Sequence, residues 1–586
     1  MARLRCFVYL SLLSCLCSAA PAATQHCKVL PGDAAWPSFT AWEQLNRTVE
    51  GRLIATVPEA AVCHRGGYAF AAYNESSCSA LQVTWNAPET YEPVAGAIMN
   101  PYYQNQTCVP FTPFNQTCTL GNLVSYSINV ACAEDVAAGI RFAGEHNIRL
   151  VIKNTGHDFT GGSTGEGALA LWMWNLKSST FVDNYTGIGD YHGPAITLGA
   201  GMAGYEAYYA VNARGYRIVG GDCPTVGITG GYAQGGGHSL LTGTYGMASD
   251  QVLEWEVVTA NGSHLVATPF QNADLYWAMS GGGGGTYAVA LSMTYKIYPE
   301  SIVGSATLSF NATANSNATF TKALEAWWKA TPSIVDGGAS VLWGVEEGIF
   351  LLEGTTAPGL TAEEVGQLFA PFRQTLGNLS VQYTFAATQS PSYFDHFSAQ
   401  VGGLPYGEYT GTYLEHSWLV PREILDNPDR VSNLSQTMIN VVTEANPQAG
   451  DHIGCQSMSL KNVPPQYDNA VFPSWRDTIA ICLVNALWNW TIPYSEMLER
   501  KAYIAHVIAP AMQAATPGGG SYRNEVDSWA FPQADTAKWQ HGLFGVNYHR
   551  LREIKRKWDP ASLFYANIAV GSEDWVVAAD GRLCRA

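Results

Sequence analysis

The chain has 586 residues, 47% apolar and 13% charged, with a formal net charge of −17 and a sequence pI near 5.2. This is the composition of a compact globular protein, and the length exceeds what one hydrophobic core usually supports, so two folding units are expected. The negative charge repels nucleic acid and anionic membrane, which excludes a polyanion partner.

The chain opens MARLR, CFVYLSLLSCLC, SAAPAATQ. A charged start, an apolar run and small residues read as a signal peptide over residues 1–20. The apolar run is shorter than the roughly 18 to 20 residues of a membrane span, and no later run reaches that length. A secreted, extracellular protein with no membrane partner is expected. Eleven N-x-S/T sequons, from Asn46 to Asn489, agree with export.

Of thirteen cysteines, ten remain once Cys6, Cys15 and Cys17 leave with the leader. Most should pair in an oxidising compartment. Cys63 with Cys78 and Cys108 with Cys118 suit short-range pairing, and the full connectivity stays open.

Residues 21–120 read as a disulfide-rich N-terminal segment. In AEDVAAGIRFAGEHN, Val136, Ile140 and Ala143 recur at helical spacing, and IRLVIKN follows as a strand. The strand enters TGHDFTGGSTGEG, too glycine-rich for regular structure. Strands are expected in ALALWMW, AITLGAG and EWEVVTANG, the last with an Asn261-Gly262 turn. DLYWAMSGGGGGTYAVALSMTYKIYP gives a short helix, a glycine turn and a strand ending at Pro299. This irregular alternation indicates an α+β fold. Beyond about residue 300, aromatic-rich strands mix with helical runs in FTKALEAWWKAT and EEVGQLFAPFRQTL, which marks a boundary.

Three glycine-rich loops, at 154–167, 220–237 and 281–285, press backbone close against something, because glycine has no Cβ and admits φ > 0. Successive N–H groups in such loops form anion sites, which suits a flat cofactor bearing a pyrophosphate. The fingerprint G-x-G-x-x-G needs a strand before it, a helix after it and an acid about 20 positions on, and no run here meets all three conditions. HExxH is absent, as is CxxC from the mature chain, so metal hydrolysis and thiol exchange lack support and no metal is expected.

Four ordered segments carry a resemblance: IKNTGHDFTGGS, GDCPTVGITGGYAQGGGHSLLTGTYGMASDQVLEWEVVTANG, DLYWAMSGGGGGTYAVALSMTYKIYP and FGVNYHRLREIKRKWDPASLFYAN. They resemble the motifs of the berberine-bridge-enzyme-like branch of the vanillyl-alcohol-oxidase (VAO) superfamily, whose FAD domain is of the PCMH type. The spellings KNTGHD and YxNE are those of its secreted fungal members. The resemblance spans roughly 120–300 and 520–575.

It implies a two-domain α+β fold, with a PCMH-type FAD-binding domain at 121–300 and a substrate-binding domain of helix-covered antiparallel sheet at 301–535. A C-terminal segment, 536–586, returns to the FAD domain. It implies FAD attached twice, through His157 to the C8 methyl and through Cys223 to C6. The chemistry suits these residues, since neutral imidazole and thiolate are the nucleophiles required. With Cys223 so used, at least one further cysteine is left unpaired.

The rest of the cradle is assigned by the same resemblance. The first loop contributes Asn154, Thr155, Gly156, Asp158, Gly162 and Ser163. The second contributes Pro224, Thr225, Val226, Gly227, Gly230, Gly231, Tyr232, Gly236 and Gly237, and Asn547 joins from the C-terminal segment. Val226 falls at the position linked with oxygen access and oxidase behaviour, and Tyr232 stands where plant members usually have a flavin-contacting histidine.

Oxidising an alcohol requires hydride transfer to flavin N5 and a base for the hydroxyl proton. SYRNEVD matches the substrate-side Tyr-x-Asn motif. Tyr522 acts as a phenolate-like base or orients the substrate hydroxyl, Asn524 holds it, and Glu525 replaces the second tyrosine of plant relatives, which leaves the base open. Tyr245 matches a tyrosine that approaches the active site in related alcohol oxidases, or is a packed aromatic. Asn469, Trp475 and Arg476 are expected on a substrate-domain strand in a structural role, and His238 is read as structural.

The expected protein is a secreted monomeric oxidase that takes a small alcohol, either a carbohydrate hemiacetal or a secondary-metabolite hydroxyl, and passes electrons to dioxygen. The alternatives are a dehydrogenase with another acceptor and an inert flavin-bearing glycoprotein.

Overall fold

A computed structural model of the chain describes residues 27–67, 71–187, 189–407, 411–444 and 452–586. The expected leader lies outside the described residues. Three larger sheets organise the rest.

The first sheet contains β1 (Leu53–Ala55), β2 (Tyr126–Asn129), β3 (Leu150–Lys153) and β4 (Leu169–Trp172) in the order β1-β2-β4-β3. β4 runs parallel to both β2 and β3, and β1 is antiparallel on the edge. Parallel strands require a crossover, and the helix Ala133–Glu145 is part of it. Val136, Ile140 and Ala143 are all buried, as their spacing requires. Asp135 in its first turn accepts a hydrogen bond from the Ala131 N–H at 2.8 Å and pairs with Arg52 at 2.6 Å, which puts an acid at the positive end of the helix.

The second sheet contains β5 (Ser179–Val182), β6 (Ala195–Gly199), β7 (Val252–Thr259), β8 (His264–Ala267) and β9 (Ala288–Lys296) in the antiparallel order β8-β7-β9-β6-β5. The Asn261-Gly262 turn joins β7 to β8 as expected.

The third and largest sheet is wholly antiparallel. Its strands are β10 (Val303–Asn311), β11 (Ser340–Glu346), β12 (Ile349–Pro358), β13 (Tyr383–Ser390), β14 (Tyr413–Pro421), β15 (His452–Ser457) and β16 (Thr478–Leu487), ordered β13-β10-β12-β11-β15-β16-β14. Side chains alternate across each strand. Leu414, Trp418, Ile453, Cys455, Cys482 and Val484 enter a core shared with the helices Ala312–Val335 and Pro428–Glu444. Trp327 and Trp328 from the first helix pack edge-on against Trp343 of β11, with ring centroids 5.6 and 5.0 Å away. Burying side chains of this size contributes roughly 1.5–3 kcal/mol each. The alternate residues Glu415, Gln456, Leu483 and Asn485 face a cleft on the opposite side.

Two expectations need correction. The run EEVGQLFAPFRQTL is two helices, Ala362–Leu368 and Ala370–Asn378, because Pro371 has no N–H to continue the first and sits instead in the opening turn of the second. Asn469 lies in a loop, and Trp475 and Arg476 form a 3-10 turn, Pro473–Asp477, just before β16. Arg476 grips the Asp250 carboxylate with two bonds of 2.8 Å, and Asn469 donates to the same group at 2.7 Å.

Cys63–Cys78 and Cys108–Cys118 form disulfides, joined by Cys455–Cys482 and by Cys27–Cys584, which ties the two ends together. Cys132 and Cys223 remain free, so Cys132 is the second unpaired cysteine that the count requires. The C-terminal segment packs on the first two sheets. Phe564 bridges to Leu150 of β3, and buried Lys555 donates to the carbonyls of Thr286 and Phe564, both at 2.7 Å, while pairing with Asp559.

Candidate active site

The cleft lies between the glycine loops and the exposed face of the third sheet, closed on one side by residues 522–525. Its volume of about 370 Å³ is in the range of small-molecule sites.

The glycine loops touch one another. A Cβ on Gly284 would meet the Gly231 Cα at 2.8 Å, so the third loop tolerates no side chain there. Gly237, at φ +73°, donates its N–H to the Tyr522 hydroxyl at 3.1 Å, and a Cβ there would collide with Ala248. On the cleft wall, Asn154 anchors its amide nitrogen on the Ala200 carbonyl at 2.5 Å, which leaves its Oδ1 buried without a partner. Thr229 Oγ1 is a second buried orphan in the same wall. A cradle of bare backbone with unanswered polar atoms fits a flat, hydrogen-bonding group such as FAD.

The first loop is held by Asp158. One carboxylate oxygen accepts from the Thr160 backbone and hydroxyl, at 2.9 and 3.1 Å, and the other from those of Ser163, at 2.6 and 2.9 Å. Thr155, Gly156, His157 and Gly162 line the cleft beside it, and Cys223, Val226, Gly227, Gly230 and Tyr232 line it from the second loop. His157 and Cys223 converge on one hydroxyl: Thr225 Oγ1 lies 2.8 Å from His157 Nε2 and 3.4 Å from Cys223 Sγ. Burial lowers the His157 imidazole to about 4 and raises the Cys223 thiol to about 12, so both are neutral here.

On the substrate side, Tyr522 is buried and accepts from Gly237 N–H and from Asn524 Nδ2 at 2.7 Å, while the same Asn524 nitrogen reaches the Gly231 carbonyl at 2.9 Å. Burial, reinforced by the nearby Glu525, holds the Tyr522 phenol well above its usual range. A phenolate is therefore disfavoured, and orienting a hydroxyl is the part of the expectation that this geometry allows.

His238 bridges the two domains. Its Nδ1 lies 2.5 Å from Gln456 Oε1, whose own amide nitrogen is pinned on the Ser239 carbonyl at 2.5 Å. Its Nε2 lies 3.0 Å from Glu525 Oε1. Both ring nitrogens thus face acceptors, which the doubly protonated imidazolium satisfies. Burial opposes that charge, but Glu525, Asp222 and the Gln456 hydrogen bond outweigh it and raise His238 to about 9. Trp475 stacks on one face of the ring at 5.9 Å and Tyr522 meets it edge-on at 5.4 Å.

Among the described residues, the fully buried carboxyl oxygens of the cleft without a partner are Glu525 Oε2 and Glu415 Oε1. Burial, with the charges of Glu525 and Asp222, pushes Glu415 well above the carboxylate range, so it holds its proton. Glu353 is raised by burial and by Asp222.

A FAD binding domain model matches residues 124–268, and a "Berberine and berberine like" model matches 522–571, starting at Tyr522. The chain is 48% identical over 566 residues to FAD-linked oxidoreductase orf1 of Neocamarosporium betae, covering 96% of this chain and 95% of that one. It is 45% identical over 561 residues to the VAO-type flavoprotein oxidase VAO615 of Thermothelomyces thermophilus, with the same coverage. The crystal structure of MtVAO615 from Myceliophthora thermophila C1 superposes with a TM-score of 0.90 at 44% identity, over 96% of this chain and all of that one.

The chain belongs to the VAO-type, berberine-like FAD-linked oxidoreductases. Far more distant, at 18% identity and a TM-score of 0.61 over 77% of this chain and 92% of that one, the glucooligosaccharide oxidase of Acremonium strictum, which carries a 6-S-cysteinyl, 8α-N1-histidyl FAD, shares the fold.

In this VAO-type chain two expected site residues stand elsewhere. Tyr245 does not line the cleft; it stacks on Tyr298 with centroids 3.8 Å apart, which is the packed-aromatic alternative. Asn547 is likewise outside, donating to the carbonyls of Ala470 and Val471 at 3.3 and 3.2 Å, which fixes a loop behind Gly281. Pro224, Gly236 and Gly237 stand behind the lining and shape the second loop. His238, read from sequence as structural, lines the cleft and holds Glu525. Glu415, Gln456 and Arg523 also line the VAO-type cleft and were missed.

Proposed function

We propose that this flavoprotein oxidase oxidises an alcohol, a carbohydrate hemiacetal or a secondary-metabolite hydroxyl, and reduces dioxygen to hydrogen peroxide, with Glu525 as the proton acceptor. The observation that carries this is the asymmetry of the Glu525 carboxyl: Oε1 is bound to His238 at 3.0 Å, and Oε2 is left without a partner in the cleft.

Bound FAD supplies the two-electron acceptor that takes a hydride from the substrate carbon and yields the electrons to dioxygen. Glu525 Oε2 accepts the hydroxyl proton as the hydride leaves. His238 fixes the Glu525 carboxyl through Oε1, and Gln456 keeps the ring from turning. Glu415, held neutral by burial, donates a hydrogen bond to a second substrate oxygen. Tyr522, held by Gly237 and Asn524, orients the reacting hydroxyl.

FAD attachment through both His157 and Cys223 is part of this proposal. It is supported by their convergence on Thr225 and by the doubly attached FAD of the distant Acremonium strictum oxidase. Export is also proposed, on the leader and the eleven sequons.

The test is an aerobic screen of sugars and phenolic or aliphatic alcohols with peroxide detection on the purified protein. One peroxide per substrate oxidised is expected. Substrate oxidation without peroxide overturns the oxidase reading, and a flavin that no alcohol on the panel reduces overturns the alcohol reading.

A further inference from the structure

Thr225 is fully buried and its hydroxyl is reached by both attachment residues, at 2.8 Å from His157 Nε2 and 3.4 Å from Cys223 Sγ. A hydroxyl has one proton to donate and lone pairs to accept with. A hydrogen-bond relay that passes through it, in on one side and out on the other, runs in one of two directions.

In the first direction, His157 Nε2–H donates to Thr225 Oγ1 and the Thr225 O–H donates to the Cys223 sulfur. Nδ1 then has a free lone pair, and the sulfur receives a hydrogen bond that favours thiolate. In the second, the thiol donates to Thr225 and Thr225 to Nε2. The proton then sits on Nδ1, and both nucleophiles are blocked at once. Only the first direction makes two nucleophiles, and one hydroxyl sets both.

We propose that Thr225 is a positioning residue for flavin attachment, fixing His157 as the Nε2–H tautomer and directing its own O–H to the sulfur of Cys223. This rests on the double attachment proposed above.

The chemistry balances with dioxygen as oxidant. At His157 a C–N bond forms between Nδ1 and the C8 methyl carbon. One methyl C–H breaks, and the Nε2 proton leaves toward Thr225. At Cys223 a C–S bond forms at C6, and the S–H and the C6–H break. Each attachment leaves two electrons on the flavin, and dioxygen removes them with two protons as hydrogen peroxide.

Burial is the obstacle that this hydrogen bond relieves. It raises the Cys223 thiol to about 12, and the contact with Thr225 acts in the opposite sense. A hydrogen bond from a hydroxyl to a charged partner in a buried site is worth roughly twice a neutral one, so losing it slows attachment more than it alters folding.

The experiment compares wild type with Thr225→Val, Thr225→Ala and Thr225→Ser. Each protein is purified with FAD, held in air, and sampled over time into acid. Flavin retained on the polypeptide is measured, and peptide mass mapping reads His157 and Cys223 separately. Thr225→Ser is expected to attach at the wild-type rate, whereas Thr225→Val and Thr225→Ala are expected to attach at both residues at least tenfold more slowly while still binding FAD. Attachment within twofold of wild type in the folded Val or Ala variant overturns the proposal, as does a loss confined to one residue. A wild type that releases all its flavin in acid overturns the double attachment itself, a distinct outcome from wild-type attachment that survives loss of the hydroxyl.

Discussion

His238 and Glu525 stand 287 positions apart in sequence, yet Nε2 of one lies 3.0 Å from Oε1 of the other. The contact leaves Glu525 Oε2 alone in the cleft. Glu525→Gln removes the proposed base and keeps its size, and is expected to lower kcat by about 10² to 10⁴ while FAD still binds. Stopped-flow measurement of flavin reduction checks this directly. An unchanged reduction rate contradicts the assignment.

The same pair sets a pH limit. The folded-state pKa of His238, about 9, stands above the 6.5 of an ordinary imidazole. The pairing therefore contributes stability in full below about 6.5, and that contribution is lost as pH rises through about 9. Both thermal stability and kcat are expected to fall through that window. In Glu525→Gln the alkaline limb of the stability profile should move to lower pH, because the carboxylate that sustains the imidazolium is gone. A profile flat from pH 7 to 10 contradicts the pairing.

Glu415 offers the opposite test. It is only 6% exposed and holds its proton, so Glu415→Gln replaces one neutral hydrogen-bonding group with another of similar shape. Its kcat is expected to stay within about tenfold of wild type, equivalent to about 1.4 kcal/mol or less. Glu415→Asp, which shortens the reach, should raise KM. Steady-state kinetics on one substrate separates the two variants, and a collapse of Glu415→Gln as deep as that of Glu525→Gln would exchange the roles of the two acids.

Tyr522 and Tyr245 were both candidate active-site tyrosines, and the structure separates them. Tyr245→Phe keeps its stack on Tyr298 and is expected to leave kcat/KM within about twofold. Tyr522→Phe loses the hydroxyl that Gly237 and Asn524 hold, and is expected to lower kcat/KM by about tenfold or more, a transition-state effect of at least about 1.4 kcal/mol.

The flavin side of the site was legible because its residues are contiguous. His157 sits in TGHD and Cys223 in GDCPTVG, where glycine spacing and residue chemistry occur in one short run. The acid–base side was not. Glu415 is one acid in the strand YLEHSWLVP, and only its register, one place from Leu414, puts it on the cleft face rather than in the core. Gln456 reaches His238 from a strand 218 positions away, and no local pattern announces such a contact. His238 within GGGHS reads as structural from sequence, since its partners lie on the other domain. Cys27–Cys584 was hidden for the same reason, its two cysteines standing 557 positions apart. Asn547 and Tyr245 were misplaced because a motif gives the neighbourhood of a residue but not the direction of its side chain.

The proposed site holds a flavin bonded to the chain at two residues, opposite a carboxylate that takes a proton. Intact-mass analysis of the denatured wild-type protein, followed by peptide mapping, tests it most directly. The predicted result is one FAD per chain, less the hydrogens lost at two attachment points, carried by a peptide pair joined through His157 and Cys223. A denatured chain at its unmodified mass, with the yellow chromophore free in solution, would contradict it.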